Sequence, residues 1–179
     1  MTAEELWELP ECPGIRYELA EGVLVEMPGA GGVHAEIAFR IALLLHAFVV
    51  SRSLGRVFPD ALAYILRRDP DVVRIPDVSF IAQLRIPETG MPEGFVPFAP
   101  DLAVEIVSPN DRASAVHDKV HEYLESGTRL VWVVWPHRRS VTVYLPEAAA
   151  REIESDGELE GGDVLPGFRV KVAELFAAG

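Results

Sequence analysis

Two carboxylates interrupt apolar stretches of this sequence, where an ionised side chain needs a partner. Asp77 begins the apolar stretch 77–82, and Glu105 lies in the middle of the apolar stretch 101–107. Burying a carboxylate without a counter-charge costs several kcal/mol. A divalent metal ion bound by both side chains would satisfy both charges, and oxygen ligands of this kind suit Mg²⁺ or Mn²⁺. The ordinary alternative is that Glu105 pairs with an arginine and that Asp77 only begins a strand after proline.

The residues around Glu105 predict an open face on one side of a strand. Because side chains of a strand alternate between two faces, Leu102, Val104 and Ile106 point to the same side, which we expect to be the core. The opposite face combines small and charged residues and therefore predicts a cleft: Asp101, Ala103, Glu105 and Val107.

Lys119 is the cation that could pair with these carboxylates in the cleft. It lies in the predicted helix that follows Glu105, beside the core-facing residues Val116 and Tyr123. The stem of a lysine at the margin of a buried face can lie on apolar surface while its ammonium group reaches a cleft. The alternative is a solvated surface lysine without a chemical role.

The first part of the chain predicts a short helix, a hairpin and a long helix. Thr2 and Glu5 have the spacing of a helix capping box. Alternating apolar and polar residues over 16–27, on either side of the turn at 21–22, predict a β-hairpin. Apolar residues at helical spacing then predict a helix over 33–52.

The rest of the chain predicts a sheet with one further helix. Strands are predicted over 56–58, 61–67, 78–82, 101–107, 130–135 and 140–145. Residues 108–111 are expected to cap a helix over 112–126, and the tail over 165–176 is expected to pack back on the body. This order predicts one domain, residues 1–179, of the α/β or α+β class with a mixed sheet.

The composition limits the possible functions. The net charge of −12 disfavours tight non-specific DNA binding, so a nucleic-acid function needs a local basic groove, a metal ion or a basic partner. Arg67, Arg68 and Arg74 are candidates for phosphate contacts. The single Cys12 predicts no internal disulfide and a reducing, cytoplasmic compartment. The longest apolar run, 41–50, predicts no membrane span.

Several segments, taken in order along the chain, resemble a known family. They are Pro76-Asp77, the segment 100–109 that contains Glu105, and the four-residue spacing of Lys119, Tyr123 and Gly127. This pattern resembles the Uma-type "putative restriction endonuclease" branch of the PD-(D/E)XK metal-dependent nuclease superfamily, and the resemblance covers nearly the whole chain.

The resemblance implies a restriction-endonuclease-like core and DNA cleavage with Mg²⁺ or Mn²⁺. It assigns Asp77 and Glu105 as metal ligands. The catalytic lysine of the superfamily usually stands two residues after the glutamate, where this chain has Val107, and Lys119 resembles its migrated substitute. The resemblance also brings in His34, at the start of the long helix, as a second-tier site residue, although a capping or core-margin histidine is the alternative.

Other readings of the sequence compete with a nuclease. Some relatives carry aspartates where this chain has Ala115 and Trp135, so auxiliary roles at these positions are absent from the sequence. The acidic charge fits a catalytically idle binding or assembly module that retains the nuclease fold. His117 and His121 have the spacing of a zinc-hydrolase motif, with no third ligand evident. A homodimer is compatible with cleavage of two strands.

Overall fold

A central mixed sheet, a smaller antiparallel sheet and helices make up the computed structural model, which describes residues 1–10, 12–60, 62–109 and 111–177. The strands are β1 (Ile15–Ala20), β2 (Val23–Pro28), β3 (Gly55–Pro59), β4 (Tyr64–Arg67), β5 (Val72–Arg74), β6 (Val78–Ala82), β7 (Leu102–Ile106), β8 (Leu130–Trp135), β9 (Ser140–Tyr144), β10 (Arg151–Ile153), β11 (Glu158–Glu160) and β12 (Arg169–Lys171). The α-helices are α1 (Ala3–Trp7), α2 (Gly32–Arg52), α3 (Ala113–Glu125) and α4 (Val172–Leu175).

The central sheet has six strands in the order β10-β9-β8-β7-β6-β3. Strands β7 and β8 run parallel, joined by α3, and the other neighbouring pairs run antiparallel. A second, antiparallel sheet has the order β2-β1-β5-β4, and β11 pairs with β12. The predicted class, a mixed sheet flanked by helices, is confirmed.

Helix α2 covers one face of the central sheet. Its residues Ile37, Ile41, Leu45 and Val49, spaced four apart, are buried against that face, together with Trp132 of β8. By length and composition alone α2 could also cross a membrane, a test that core helices pass as well. Burying each such side chain contributes roughly 1.5–3 kcal/mol, which fixes the helix on the sheet.

The tail packs on this same face, as predicted. Leu165, Phe168 and Leu175 are buried in the α2 core, and the Phe168 ring meets the Phe48 ring edge-on with centroids 5.2 Å apart. This core therefore joins α2 to the C-terminal segment of the described residues.

Helix α3 and the loop 86–99 cover the opposite face of the central sheet. The predicted alternation along β7 is correct, since Ala103 and Leu102 lie on different faces. The prediction of an open cleft along the whole face was wrong, because Asp101 and Ala103 are completely buried. Asp101 accepts a hydrogen bond from the backbone N–H of Ala82 (2.8 Å), so its carboxylate serves the packing between β6 and β7. The cleft begins only at Glu105.

The N-terminal hairpin forms as predicted. Glu21 and Gly22 both adopt positive φ, 50° and 75°, which a two-residue hairpin turn requires. The capping box is also present, since Thr2 and Glu5 exchange hydrogen bonds of 2.8 and 3.2 Å. Alternate residues of β1 face α1 on one side of the hairpin and a cleft between the hairpin and α3 on the other.

Three details of the sequence-based prediction need correction. Four strands of three residues, β5, β10, β11 and β12, were not predicted, because three residues carry too little alternation. The predicted strand 61–67 is β4, which starts at Tyr64, and position 61 lies outside the described residues. The predicted cap at 108–111 does not cap α3: Arg112 precedes the helix, and Asp111 instead accepts a hydrogen bond from Ser108 N (2.7 Å). Position 110 lies outside the described residues.

Candidate active site

The pairing of β6 with β7 brings the two predicted carboxylates together. The antiparallel register pairs Val78 with Val104, so Asp77 and Glu105 stand opposite each other one residue beyond the end of this ladder. Facing residues of neighbouring strands have Cβ atoms about 5 Å apart. The Asp77 backbone N–H donates to Val104 O (3.0 Å), and Asp77 Oδ2 accepts from the backbone N–H of Ile106 (2.7 Å). The main chain thus fixes the Asp77 carboxylate beside Glu105.

Helix α3 supplies two side chains that hold Glu105. Lys119 and Tyr123 lie four residues apart and therefore on the same helix face. The Tyr123 hydroxyl donates to Glu105 Oε1 at 2.8 Å, and Lys119 Nζ lies 3.4 Å from Glu105 Oε2. The two predicted carboxylates and the predicted lysine therefore share one site, although their roles in chemistry stay predictions.

Glu18 of β1 is the other carboxylate on Lys119. It is buried, with 1% of its side chain exposed, and Glu18 Oε1 accepts hydrogen bonds from Lys119 Nζ (3.1 Å) and Ile75 N (3.0 Å). Its second oxygen accepts from Arg74 (2.9 Å), and Arg74 also donates two hydrogen bonds to Glu122 (2.6 and 2.9 Å). This buried network ties the hairpin to α3.

His34, at the start of α2, contacts the other side of the site. Its Nε2 lies 2.8 Å from Asp77 Oδ1, and its Nδ1 lies 3.3 Å from the Ser108 hydroxyl. The hydrogen bond to Asp77 outweighs partial burial and raises the pKa of His34 above its ordinary value. His34 therefore lies beside the predicted ligand instead of only capping a helix.

Glu105 has a pKa far from its ordinary value in this environment. Burial disfavours its carboxylate and outweighs the attraction of the Lys119 ammonium, and the negative charges of Asp77 and Glu18 add to the effect. Together they raise the pKa of Glu105 to about 7. The charged form of Glu105 is therefore disfavoured in this site.

Lys119 stays charged despite its burial. Burial favours the neutral amine, but the carboxylates of Glu105 and Glu18 outweigh it and raise the pKa of Lys119 above its ordinary value. A lysine held in this way presents a permanent ammonium group to the site.

These side chains lie on the floor of a cleft of about 550 Å³. One wall is the inward face of the β1–β2 hairpin, and the other is the first turns of α3 with the end of β7. The loop Gly29–Gly31, Asp111 and Asp118 form an exposed rim. Cleft volumes of roughly 300–1,000 Å³ are typical of ligand sites.

The donor set fits a hard divalent cation. Four carboxylates of the network contact two permanent cations, Lys119 and Arg74, and one titratable cation, His34, so ionised carboxylates would outnumber the cations even with His34 protonated. Asp77 and Glu105 both line the cleft. Among the described residues, no three His, Cys, Asp or Glu side chains form a metal cluster on their own. Mg²⁺ is commonly bound by one or two carboxylates, with water and substrate phosphate completing its ligands.

The two histidines and two of the three arginines singled out from the sequence lie apart from this site. His117 and His121 are exposed on α3 with ring centroids 4.6 Å apart, and they do not line the cleft. Arg67 pairs with Glu21 (2.8 Å), and Arg68 pairs with Glu4 (2.7 Å). With Arg74 buried in the network described above, the expectation that these three arginines contact phosphate is not supported.

Sequence reasoning missed Glu18. It alternates with Tyr17 and Leu19 along β1, so the pattern assigns it to a solvated polar face. In the structure Tyr17 and Leu19 pack toward α1, and Glu18 faces the cleft. The alternation predicted the face correctly, but it carries no signal for whether a polar face meets water or buried cations.

Comparisons with known proteins show which family and which fold the chain resembles. A model of the Uma2 family, described as "Putative restriction endonuclease", matches residues 3–173. The crystal structure of a "putative nuclease belonging to DUF820" from Anabaena variabilis ATCC 29413 superposes with a TM-score of 0.87 at 26% sequence identity, over 98% of this chain and 97% of that chain. No curated protein sequence matches the chain.

Proposed function

Since the chain belongs to the Uma2 family of "Putative restriction endonuclease" proteins, we propose that it is a metal-dependent endonuclease that hydrolyses phosphodiester bonds in DNA. The family and the structural neighbour support a nuclease. The finer assignment gives Asp77 and Glu105 the role of ligands for Mg²⁺ or Mn²⁺ and gives Lys119 the role of catalytic cation.

One observation carries the proposal: two carboxylates on neighbouring strands and a charged lysine meet on the floor of the cleft. Burial, followed by the neighbouring carboxylates, disfavours the charged form of Glu105, and a divalent cation bound beside it would offset this. A bound divalent cation contributes Lewis acidity at the scissile phosphodiester and activates water for attack.

The chain's own residues position the groups that would act. Lys119, held between Glu18 and Glu105, places a positive charge where negative charge develops on the phosphate. Tyr123 orients Glu105 by hydrogen bonding to one of its oxygens, and His34 does the same for Asp77. Such contacts to the ligands typically tune metal affinity and activity.

Removal of the Asp77 charge tests the proposal. Labelled DNA is incubated with Mn²⁺ and either wild-type protein or Asp77→Asn, which keeps a side-chain acceptor for Ile106 N. We expect the cleavage rate to fall by about 10²–10³-fold, since an interaction made in the transition state is lost. Chelation of the metal is expected to stop cleavage by the wild type.

Asp101→Asn is the matched control, because Asp101 is a buried carboxylate at the far end of β7 that bonds Ala82 N outside the cleft. It is expected to lower stability while the folded fraction still cleaves. Equal cleavage by wild type and Asp77→Asn would refute the assigned chemistry. Wild-type protein that cuts neither single- nor double-stranded DNA with Mn²⁺ or Mg²⁺ would favour the idle binding module instead.

A further inference from the structure

The reacting groups of the proposed site are recessed. The side chains of Asp77, Glu105 and Lys119 are only 10%, 12% and 14% exposed, whereas the rim residues Ala30 and Asp118 are exposed. A phosphodiester must therefore descend between the hairpin and α3 to reach them. In a duplex each phosphate joins two nucleosides whose bases are paired with a second strand, and that strand would have to enter the same cleft.

The walls of the cleft are apolar and are therefore better suited to contact unpaired bases than phosphates. Val25 and Met27 of β2 line the hairpin side, and Val107 and Val116 line the opposite side. All four are partly exposed. Apolar side chains gain free energy by covering base faces, which are open only where a base is not stacked and paired in a duplex.

The cations around the cleft are already engaged. Arg16 pairs with Asp60, Arg74 pairs with Glu18 and Glu122, and Lys119 lies between Glu18 and Glu105. Lys119 is assigned to the reacting phosphate, and no other arginine or lysine among the described lining residues is without an ion pair and available for the flanking phosphates of a duplex backbone. Duplex-binding proteins commonly neutralise several phosphates with such residues. The net charge of −12 opposes long-range attraction of a duplex as well.

We propose that the cleft takes unpaired DNA: one strand enters between the β1–β2 hairpin and α3, with its bases against the apolar walls, and an intact duplex is excluded. This inference rests on the proposed function and names the substrate class of the same site.

The test compares three substrates of one sequence with wild-type protein and Mn²⁺: a single strand, a fully paired duplex, and a duplex with a central unpaired bubble. We expect the single strand and the bubble to be cut at least about tenfold faster than the duplex, with cuts confined to unpaired nucleotides. Equal rates on all three substrates would overturn the inference and leave the nuclease proposal standing.

A matched pair of variants on β2 tests the wall. Met27→Glu places a negative charge inside the cleft, and Val23→Glu places the same charge on the same face of the strand, at an exposed position outside the lining. We expect Met27→Glu to weaken binding of a fluorescent single strand by about tenfold or more, and Val23→Glu to change it by less than about threefold. Equal effects of the two variants would contradict the assigned wall.

Binding also separates failure of this inference from failure of the proposed function. If wild-type protein cuts no substrate, the nuclease proposal fails, and fluorescence anisotropy of the single strand and the duplex still decides the substrate class. Preference for the single strand by about tenfold or more, with a shallow dependence on salt, supports the inference. Equal or tighter binding of the duplex overturns it.

Discussion

The two faces of the central sheet carry opposite kinds of interaction. On the α2 face, Ile41, Leu45 and Trp132 pack with other apolar side chains. On the α3 face, apolar packing gives way at the end of β7 to a network in which Glu105 and Lys119 hold each other in a cleft. Strand β7 contributes to both, because its successive side chains point to opposite faces.

This difference shows how one sheet separates stability from chemistry. Apolar packing on the α2 face offsets the entropy lost on folding. The charged network is a weak source of stability, since burying charges costs about as much as their attraction returns. Its value is to hold a negative excess and an ammonium group in fixed positions.

The largest expected effect is on the apolar α2 face, which stabilises the fold. Leu45→Ala removes a fully buried side chain from the centre of α2, and we expect the free energy of unfolding to fall by about 2–5 kcal/mol. Chemical denaturation measures this loss. Leu43→Ala, at a half-exposed position on the same helix, is expected to cost less than about 1 kcal/mol. A loss of cleavage per folded Leu45→Ala molecule would contradict the separation of the two faces.

The next effect concerns the chemical side. Lys119→Met keeps an apolar stem and removes the ammonium group, so we expect kcat for DNA cleavage to fall by about a hundredfold, equivalent to about 2.7 kcal/mol, with little change in KM. Steady-state kinetics with Mn²⁺ measures it. The chain has one other lysine, the exposed Lys171, and Lys171→Met provides the control. A KM effect alone would give Lys119 a binding role instead.

The smallest expected effect concerns how the contribution of Glu105 to stability depends on pH. Burial and neighbouring carboxylates raise the pKa of Glu105 to about 7, so the folded protein keeps a proton that the unfolded chain loses near pH 4.5. The contribution of this proton to the free energy of unfolding is therefore complete below about pH 4.5 and is lost as the pH rises to about 7. When the pH is raised from 5 to 8 without divalent metal, we expect the free energy of unfolding of Glu105→Gln to increase by about 1–3 kcal/mol relative to that of the wild type.

Thermal or denaturant unfolding at the two pH values checks this prediction. Addition of Mn²⁺ is expected to stabilise the wild type more at pH 8 than at pH 5, because metal and proton compete for the same carboxylate. A difference between Glu105→Gln and wild type that does not vary with pH would show that the carboxylate is not disfavoured in the folded protein.

The site was predictable from the sequence where a residue type conflicted with its surroundings. Glu105 and Asp77 stand out because each places a charge in an apolar stretch, Lys119 because it lies at the margin of a buried helix face, and the resemblance to the family supports all three. Glu18 gave no such conflict, because a glutamate on an amphipathic strand is ordinary. Its partners Arg74 and Lys119 lie 56 and 101 residues away along the chain, and no local pattern reports contacts at that range.

The sequence by itself determined the local elements: the capping box of Thr2, the hairpin turn at Glu21-Gly22 and the stripe of α2 follow from residue type and spacing over a few positions. Only the tertiary structure decided that β6 and β7 pair in a register that sets Asp77 opposite Glu105, and that the hairpin closes over Lys119. Strand pairing and the packing of distant elements depend on contacts between segments far apart in the chain. The energies of these long-range contacts cannot be predicted from a short stretch of sequence.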